Sequence, residues 1–474
     1  MTGAVLRAGF AGLLIATGAW AIAAESYHVH PDGGDPSTCS GRTPAPAGNG
    51  NDDCAWSHPF IALPPGGPPR ISGGDTLVIH PGAYRMGLGA PGAKGCSADW
   101  SWDCHMPPVP DGIGPNQPTR IIGADCSRLP RLSGVGHATR IINLDGSTDV
   151  EIRCLEITDA AVCAKHHCHG GRCPGTPRAC PREGSVPGQW AEVGIHAQDA
   201  ARVRLADLDI HGLAVAGIRA GGIRDWTLER VRIRANGWAG WDGDIGEDSA
   251  NAGKLKFIDV EIAYNGCLEA AEGAAPTGCW AQQTGGYGDG LGSGETAGEW
   301  LFERVTVSGN TSDGIDLLYL RPPGSVTIRD STIADNAGNQ IKVSGPAQID
   351  ASQIDGHCDR HESVGNMLRG DLCRAGGNAL FFSMGPGDEV AVRDSQITGN
   401  GDCLVVTHGG DTTSKFELVG SDLEGLPSRA TPGKRTCGVY FHEGSPRNEI
   451  RDNLFIGVRE TRCRPGNRCL ATRR

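Results

Sequence analysis

One phrase recurs along this chain: a short alternating strand, a turn, a second alternating strand, then an asparagine. It is read in WTLERVRIRANG (226–237), LKFIDVEIAYNG (255–266), WLFERVTVSGN (300–310), VTIRDSTIADN (326–336) and VAVRDSQITGN (390–400). VRLADLDIHG (203–212) is a further, shorter copy. Starts at Trp226, Trp300, Val326 and Val390 are separated by one or more turns of roughly 21–29 residues, with room for loop insertions. Recurrence at such a period is the mark of a solenoid, in which each unit buries its apolar side against the next. The units are β-branched and alternate with period two, without helical periodicity, so each is a strand-bearing coil. The fold predicted is all-β: a right-handed parallel β-helix with disulfide-stapled loop insertions.

Asparagines 236, 265, 310, 336 and 400 fall at equivalent turns. Asparagine tolerates left-handed backbone and bonds neighbouring amides, so stacked copies are expected to form a ladder. GDTLVIHPGAY (74–84), TRIIGADC (119–126) and TRIINLDGSTDVEIRCLEIT (139–158) read as earlier coils, separated by loops 85–118 and 159–191. A solenoid grows along one axis, so its length sets no limit on a single domain. The expected organisation is a signal peptide over 1–24, a cap region over 25–73, the β-helix over 74–457 and a tail over 458–474.

The leader reading rests on Arg7, a mostly apolar stretch from Ala8 to Ala23, and an Ala21-x-Ala23 box. It predicts a secreted protein, extracellular or periplasmic. No second long apolar run follows, so no membrane partner is expected. All 18 cysteines lie after the leader, an even number that argues for disulfides in an oxidising compartment. Close neighbours suggest staples Cys39–Cys54, Cys96–Cys104, Cys267–Cys279, Cys358–Cys373 and Cys463–Cys469. The run CAKHHCHGGRCPGTPRAC (163–180) contains His166, His167 and His169. It lacks the paired spacing of structural zinc sites, which favours a disulfide-knotted loop. A net charge of −12 argues against a nucleic-acid partner. An acidic protein that binds an acidic polymer needs local cations or a metal bridge.

Three segments align without gaps: GYGDGLGSG (286–294), NTSDGIDLLYL (310–320) and NAGNQIKVSG (336–345). Asp289 to Asp313 and Gly292 to Asp316 are both 24 residues apart; Asp313 to Asn339 and Asp316 to Lys342 are both 26. If the segments are one strand in successive coils, three carboxylates and a lysine gather on one sheet, within about 10 Å across two coils. Ile315 and Leu317 flank Asp316, and Ile341 and Val343 flank Lys342, so both polar residues are expected to face outward. Three carboxylates suit a hard oxygen-ligated cation, for which Ca2+ is favoured outside the cell. The same outward row is expected to include His196, Arg219 and Phe381, with Arg219 gripping a sugar carboxylate and Phe381 stacking on a ring. Asp242, Asp244, Glu247 and Asp248 form a separate acidic loop, read as solvated in preference to a second cation site.

GDGLGSGE, SDGIDL and GNQIKV together resemble polysaccharide lyase family nine, the calcium-dependent pectate lyases. The match covers roughly residues 285–345 well, and the repeat extends it over most of the remaining chain. The resemblance implies that Asp289, Asp313 and Asp316 ligate Ca2+ and that Lys342 is the Brønsted base. Ser312 stands where the family has the first Asp of an Asp-Asp pair, so one ligand is lost or replaced. It further implies Ca-assisted β-elimination of a uronic-acid polymer, pectate first. Independently of the resemblance, the chain is expected to be a monomer.

Three other readings share the fold. A glycoside hydrolase is suggested by NTSDGID, but Asp-Asp occurs only at Asp52–Asp53 and no Gly-His-Gly is present. Lys342 also has no role between paired acid and base carboxylates. A uronan epimerase abstracts the same proton without cleavage. A non-catalytic carbohydrate-binding β-helix or adhesin explains the repeat but not the Asp/Asp/Lys register.

Overall fold

The computed structural model describes residues 24–48, 53–159, 163–165, 180, 189–243, 245, 250–269, 276, 278–279, 288–357, 378–428, 433–459 and 466–470. The expected leader therefore lies outside the described residues, apart from its last position. Every pairing between named strands is parallel, in a 24-stranded sheet that covers two sides of each coil and a 10-stranded sheet that covers the third. The architecture is the parallel β-helix that the repeat predicts.

One coil shows how the phrase folds. Glu299–Glu303 forms the first strand, Arg304 turns the corner, and Thr306–Ser308 forms the second. Gly309 and Asn310 turn again, and Ile315–Leu317 joins the 10-stranded sheet. The next coil repeats this with Ser325–Arg329, Asp330, Thr332–Ala334, Asp335, Asn336 and Ile341–Ser344. The first corner is left-handed in successive coils, with φ of 52° at Asp207, 53° at Arg230, 54° at Asp259, 51° at Arg304 and 50° at Asp330. Non-glycine residues rarely adopt this conformation, because Cβ crowds the following carbonyl. Here the corner side chains pair along the axis: Arg230 bonds Asp207 at 2.6 Å and Arg304 bonds Asp259 at 2.8 Å.

The asparagine ladder is present, with two corrections. The left-handed residue is the one before each asparagine, namely Ala235, Tyr264, Gly309 and Asp335. The asparagine instead supplies its amide: the Nδ2 groups of Asn236, Asn265 and Asn310 each donate to the next Oδ1, at 2.9, 2.9 and 2.8 Å. Asn336 then donates to Gln340 at 2.8 Å, so a glutamine takes the place of the next asparagine at this step. A second ladder lies at the other corner, where the backbone N–H of Ser331, Ser352, Ser395 and Ser421 bonds Ser352, Ser395, Ser421 and Asn453. Both satisfy backbone donors that turn away from the sheets.

The core is the space between the sheets. Trp226, Trp241, Phe257, Trp300 and Phe302 stack along it with ring centroids 4.9–6.5 Å apart. The expected cap contributes Ser26–Gly34, which pairs with Thr76–Ile79, and the expected tail contributes Arg468–Leu470, which pairs with Leu454–Ile456. Disulfides Cys39–Cys54, Cys96–Cys104 and Cys267–Cys279 form as expected. Cys163–Cys180 closes the histidine-containing loop, whose His166, His167 and His169 lie outside the described residues. Cys126–Cys154 and Cys403–Cys437 are additional. The expected pair Cys358–Cys373, and Cys463 of the last pair, also lie outside the described residues. Several disulfides fit an extracellular protein. Among the described residues no helix is long and apolar enough to cross a membrane.

Candidate active site

Alternation on the 10-stranded sheet sorts side chains into two rows. Ile195, Ile218, Trp241, Leu291, Ile315, Ile341 and Leu380 pair in register and are buried. The residues that follow them, His196, Arg219, Asp242, Gly292, Asp316, Lys342 and Phe381, pair in register on the outer face. Val406 and Tyr440 continue that row. The sequence alignment of Gly292, Asp316 and Lys342 is therefore a physical alignment across three neighbouring strands.

Asp289 and Asp313 enter from the turn before their strands and are 6% and 4% exposed. Each uses one carboxylate oxygen on the next coil. Asp289 Oδ1 accepts the N–H of Asp313 at 2.9 Å, and Asp313 Oδ1 accepts the N–H and Nδ2 of Asn339 at 2.6 and 3.1 Å. Asn339 passes the pattern to Asn378, and Asn378 to Cys403. The second oxygens turn toward the outer row. Asp313 Oδ2 lies 3.3 Å from Lys342 Nζ, and Asp316 Oδ2 lies 2.8 Å from it. Asp289 Oδ2 overhangs Gly292, where a Cβ would lie 2.8 Å from it. Glycine at that row position leaves the space into which the Asp289 carboxylate leans.

The electrostatics are unbalanced. Burial, reinforced by the charges of Asp313 and Asp289, pushes the Asp316 carboxyl up to about 7 despite Lys342. Burial disfavours the charged form of Lys342, but Asp313 and Asp316 outweigh it and hold its pKa above the ordinary lysine value. One ammonium thus faces three carboxylates. The carboxylate oxygens of the trio do not all lie within 4.8 Å of one another; Lys342 bridges two of its members instead. The donors are all hard oxygens with an excess of negative charge, which fits a divalent cation of the Ca2+ kind.

The remaining expected residues share the row but differ in availability. Arg219 Nε pairs with Asp242 Oδ2 at 3.1 Å. His196 Nδ1 lies 2.7 Å from Asp145 Oδ1 and 2.9 Å from Arg140 Nη1, so it belongs to an ion-pair network. Phe381 sits beside Lys342 and packs against Cys403, Val406 and Cys437. Asp242 is separated from the acidic loop in which the sequence reading placed it: it belongs to the outer row next to Gly292. Asp244, Glu247 and Asp248 lie outside the described residues. Ser312 is buried, and its backbone N–H bonds Gly288 at 3.0 Å.

No family model matches this chain, and no curated protein does. Among solved structures, a pectate lyase, Pel9A, is similar at 13% identity with a TM-score of 0.44, covering 91% of this chain and 80% of that one. An alginate lyase from Paenibacillus sp. str. FPU-7 is similar at 13% identity and a TM-score of 0.39, covering 79% and 93% of the two chains. A rhamnogalacturonan lyase is similar at 13% identity and a TM-score of 0.37, covering 95% and 85%. At these scores the likeness carries no weight on substrate or mechanism, which rest on the site itself.

Proposed function

We propose that this chain is a secreted polysaccharide lyase that cleaves a uronic-acid polymer, pectate in the first instance, by β-elimination with Lys342 as the base and Ca2+ held by Asp289, Asp313 and Asp316. The observation that carries the reading is Lys342 in register with Asp316 and bonded to both Asp316 and Asp313 on an outer sheet face. Elimination requires removal of the proton at carbon 5, beside the sugar carboxylate. Ca2+ held by Asp289, Asp313 and Asp316 would supply Lewis-acid stabilisation of the charge that develops there.

Lys342 must be a neutral amine to accept that proton, and its two ion pairs oppose this. Asp313 and Asp316, if they held a cation, would no longer offer Lys342 the charge that holds its proton, leaving burial, which favours the neutral amine. The carboxylates would therefore act as a latch on the base, pairing with Lys342 as observed and freeing it if they held a cation. Asp289 and Asp313 keep their positions because one oxygen of each remains tied to the next coil. Phe381, the next residue in the row, supplies a ring edge for the neighbouring sugar.

A panel of uronans assayed for unsaturated, ultraviolet-absorbing ends, with Ca2+ and with excess chelator, tests the reading. Ca-dependent unsaturated products from pectate are expected. Saturated reducing ends indicate a hydrolase, unchanged chain length with altered sugars an epimerase, and binding without product a carbohydrate-binding role. Each of those outcomes overturns it.

A further inference from the structure

The outer face of the 10-stranded sheet carries a second set of ligating side chains at its C-terminal end. His408 and His442 pair in register on Cys403–Gly409 and Cys437–His442. They lie two residues beyond Val406 and Tyr440, which extend the row of Lys342, so all face the same side. Their rings are 5.2 Å apart and inclined at 32°, and Tyr440 stacks on His442 at 5.9 Å. Glu443 follows at the end of the strand with φ of 51°. Simple alternation would send its side chain inward, but it is exposed beside the two imidazoles.

We propose that His408, His442 and Glu443 form a binding site for a first-row transition-metal dication of the Zn2+ class. One ligand atom from each lies within 4.8 Å of the other two. Two imidazoles and one carboxylate suit Zn2+ and its neighbours and disfavour Ca2+, which takes oxygen donors. Three protein ligands leave a position for water or for an oxygen of a bound molecule. Among the described residues, these side chains form no hydrogen bond or ion pair, and the two imidazoles meet aromatic rings alone. The strands that carry the histidines are joined at Cys403–Cys437, itself an in-register pair, which fixes the histidines opposite each other before any ion arrives. Three strand spacings separate Tyr440 from Lys342, or about 14 Å, so this centre is distinct from the aspartate trio.

The test uses the untagged mature chain, stripped with chelator and then saturated with Ca2+. Titration with ZnCl2 by calorimetry is expected to show one equivalent, and CoCl2 to give the visible absorption of a nitrogen- and oxygen-ligated ion. His408→Ala and His442→Ala are each expected to weaken Zn2+ binding by at least roughly tenfold, the worth of about 1.4 kcal/mol. Glu443→Gln is expected to weaken it less, and Asp316→Asn to leave it unchanged. Should an alanine variant fail to fold, His442→Gln is read instead: Zn2+ is expected to raise the melting temperature of the parent and not of the variant. Absence of a Zn2+ equivalent in the parent, its survival in both histidine variants, or its loss in Asp316→Asn overturns the proposal.

Discussion

Asp313 accepts the backbone N–H of Asn339 with one carboxylate oxygen, at 2.6 Å, and keeps the other for Lys342. Its structural and chemical roles are therefore separable, because an amide oxygen accepts as a carboxylate does. Asp313→Asn is expected to fold with near-parental stability while losing most Ca2+ affinity. Asp313→Ala leaves the buried Asn339 N–H without its acceptor and is expected to cost about 1–3 kcal/mol as well. Urea unfolding of both variants, beside calorimetry with Ca2+, separates the two effects; equal destabilisation would show that the shared oxygen is not what matters.

Lys342 is held protonated by its carboxylate neighbours, so its reactivity should depend on both pH and cation. Lys342→Ala is expected to reduce kcat by roughly 10²–10⁴ with Ca2+ binding retained. In the parent, activity is expected to rise toward alkaline pH, with the ascending limb at lower pH as Ca2+ occupancy increases. A pH–rate profile at two Ca2+ concentrations reads this directly. A fully active alanine variant removes the assignment of the base.

Gly292 is the position in the outer row where a side chain would collide with the site. Its φ is not left-handed, so alanine meets no backbone penalty there, but the added Cβ would lie 2.8 Å from Asp289 Oδ2. Gly292→Ala is expected to displace that carboxylate and to weaken Ca2+ binding roughly tenfold, or about 1.4 kcal/mol, with little change in melting temperature. Unaltered affinity would mean that Asp289 does not reach the cation.

The outer row was legible because two weak signals coincide. Period-two alternation gives the face, and constant offsets of 24 and 26 residues give the register from Gly292 to Asp316 to Lys342. Asp242 escaped because the next strand of its sheet begins only at Leu291, and the long insertion between them hides the offset. The serine ladder escaped for another reason. Ser331, Ser352, Ser395 and Ser421 each follow a left-handed corner, but a lone serine after Asp, Ala or Gly carries no periodic signal of its own. The partners of Arg219 and His196 were likewise beyond reach, since Asp145 is brought to His196 from a turn 51 residues earlier.

His211 places a limit on the alkaline conditions that a lysine base calls for. Its side chain is 7% exposed, with Nε2 3.1 Å from Glu156 and Nδ1 2.7 Å from Glu269. Burial opposes its charge, but Glu156 and Glu269 outweigh burial and raise its pKa to about 9. An unfolded histidine titrates near 6.5. Below that value both states carry the proton and the clamp contributes fully. As pH rises toward 9 the folded state keeps a proton that the unfolded chain has lost, so stability falls, and above about 9 the contribution is gone. The shift corresponds to at most about 3 kcal/mol. Between pH 6 and pH 10 the parent is therefore expected to lose more urea stability than His211→Gln, by roughly 1–3 kcal/mol. Parallel losses in the two proteins would show that His211 is not held charged, and that the fold tolerates alkali for reasons unrelated to this clamp.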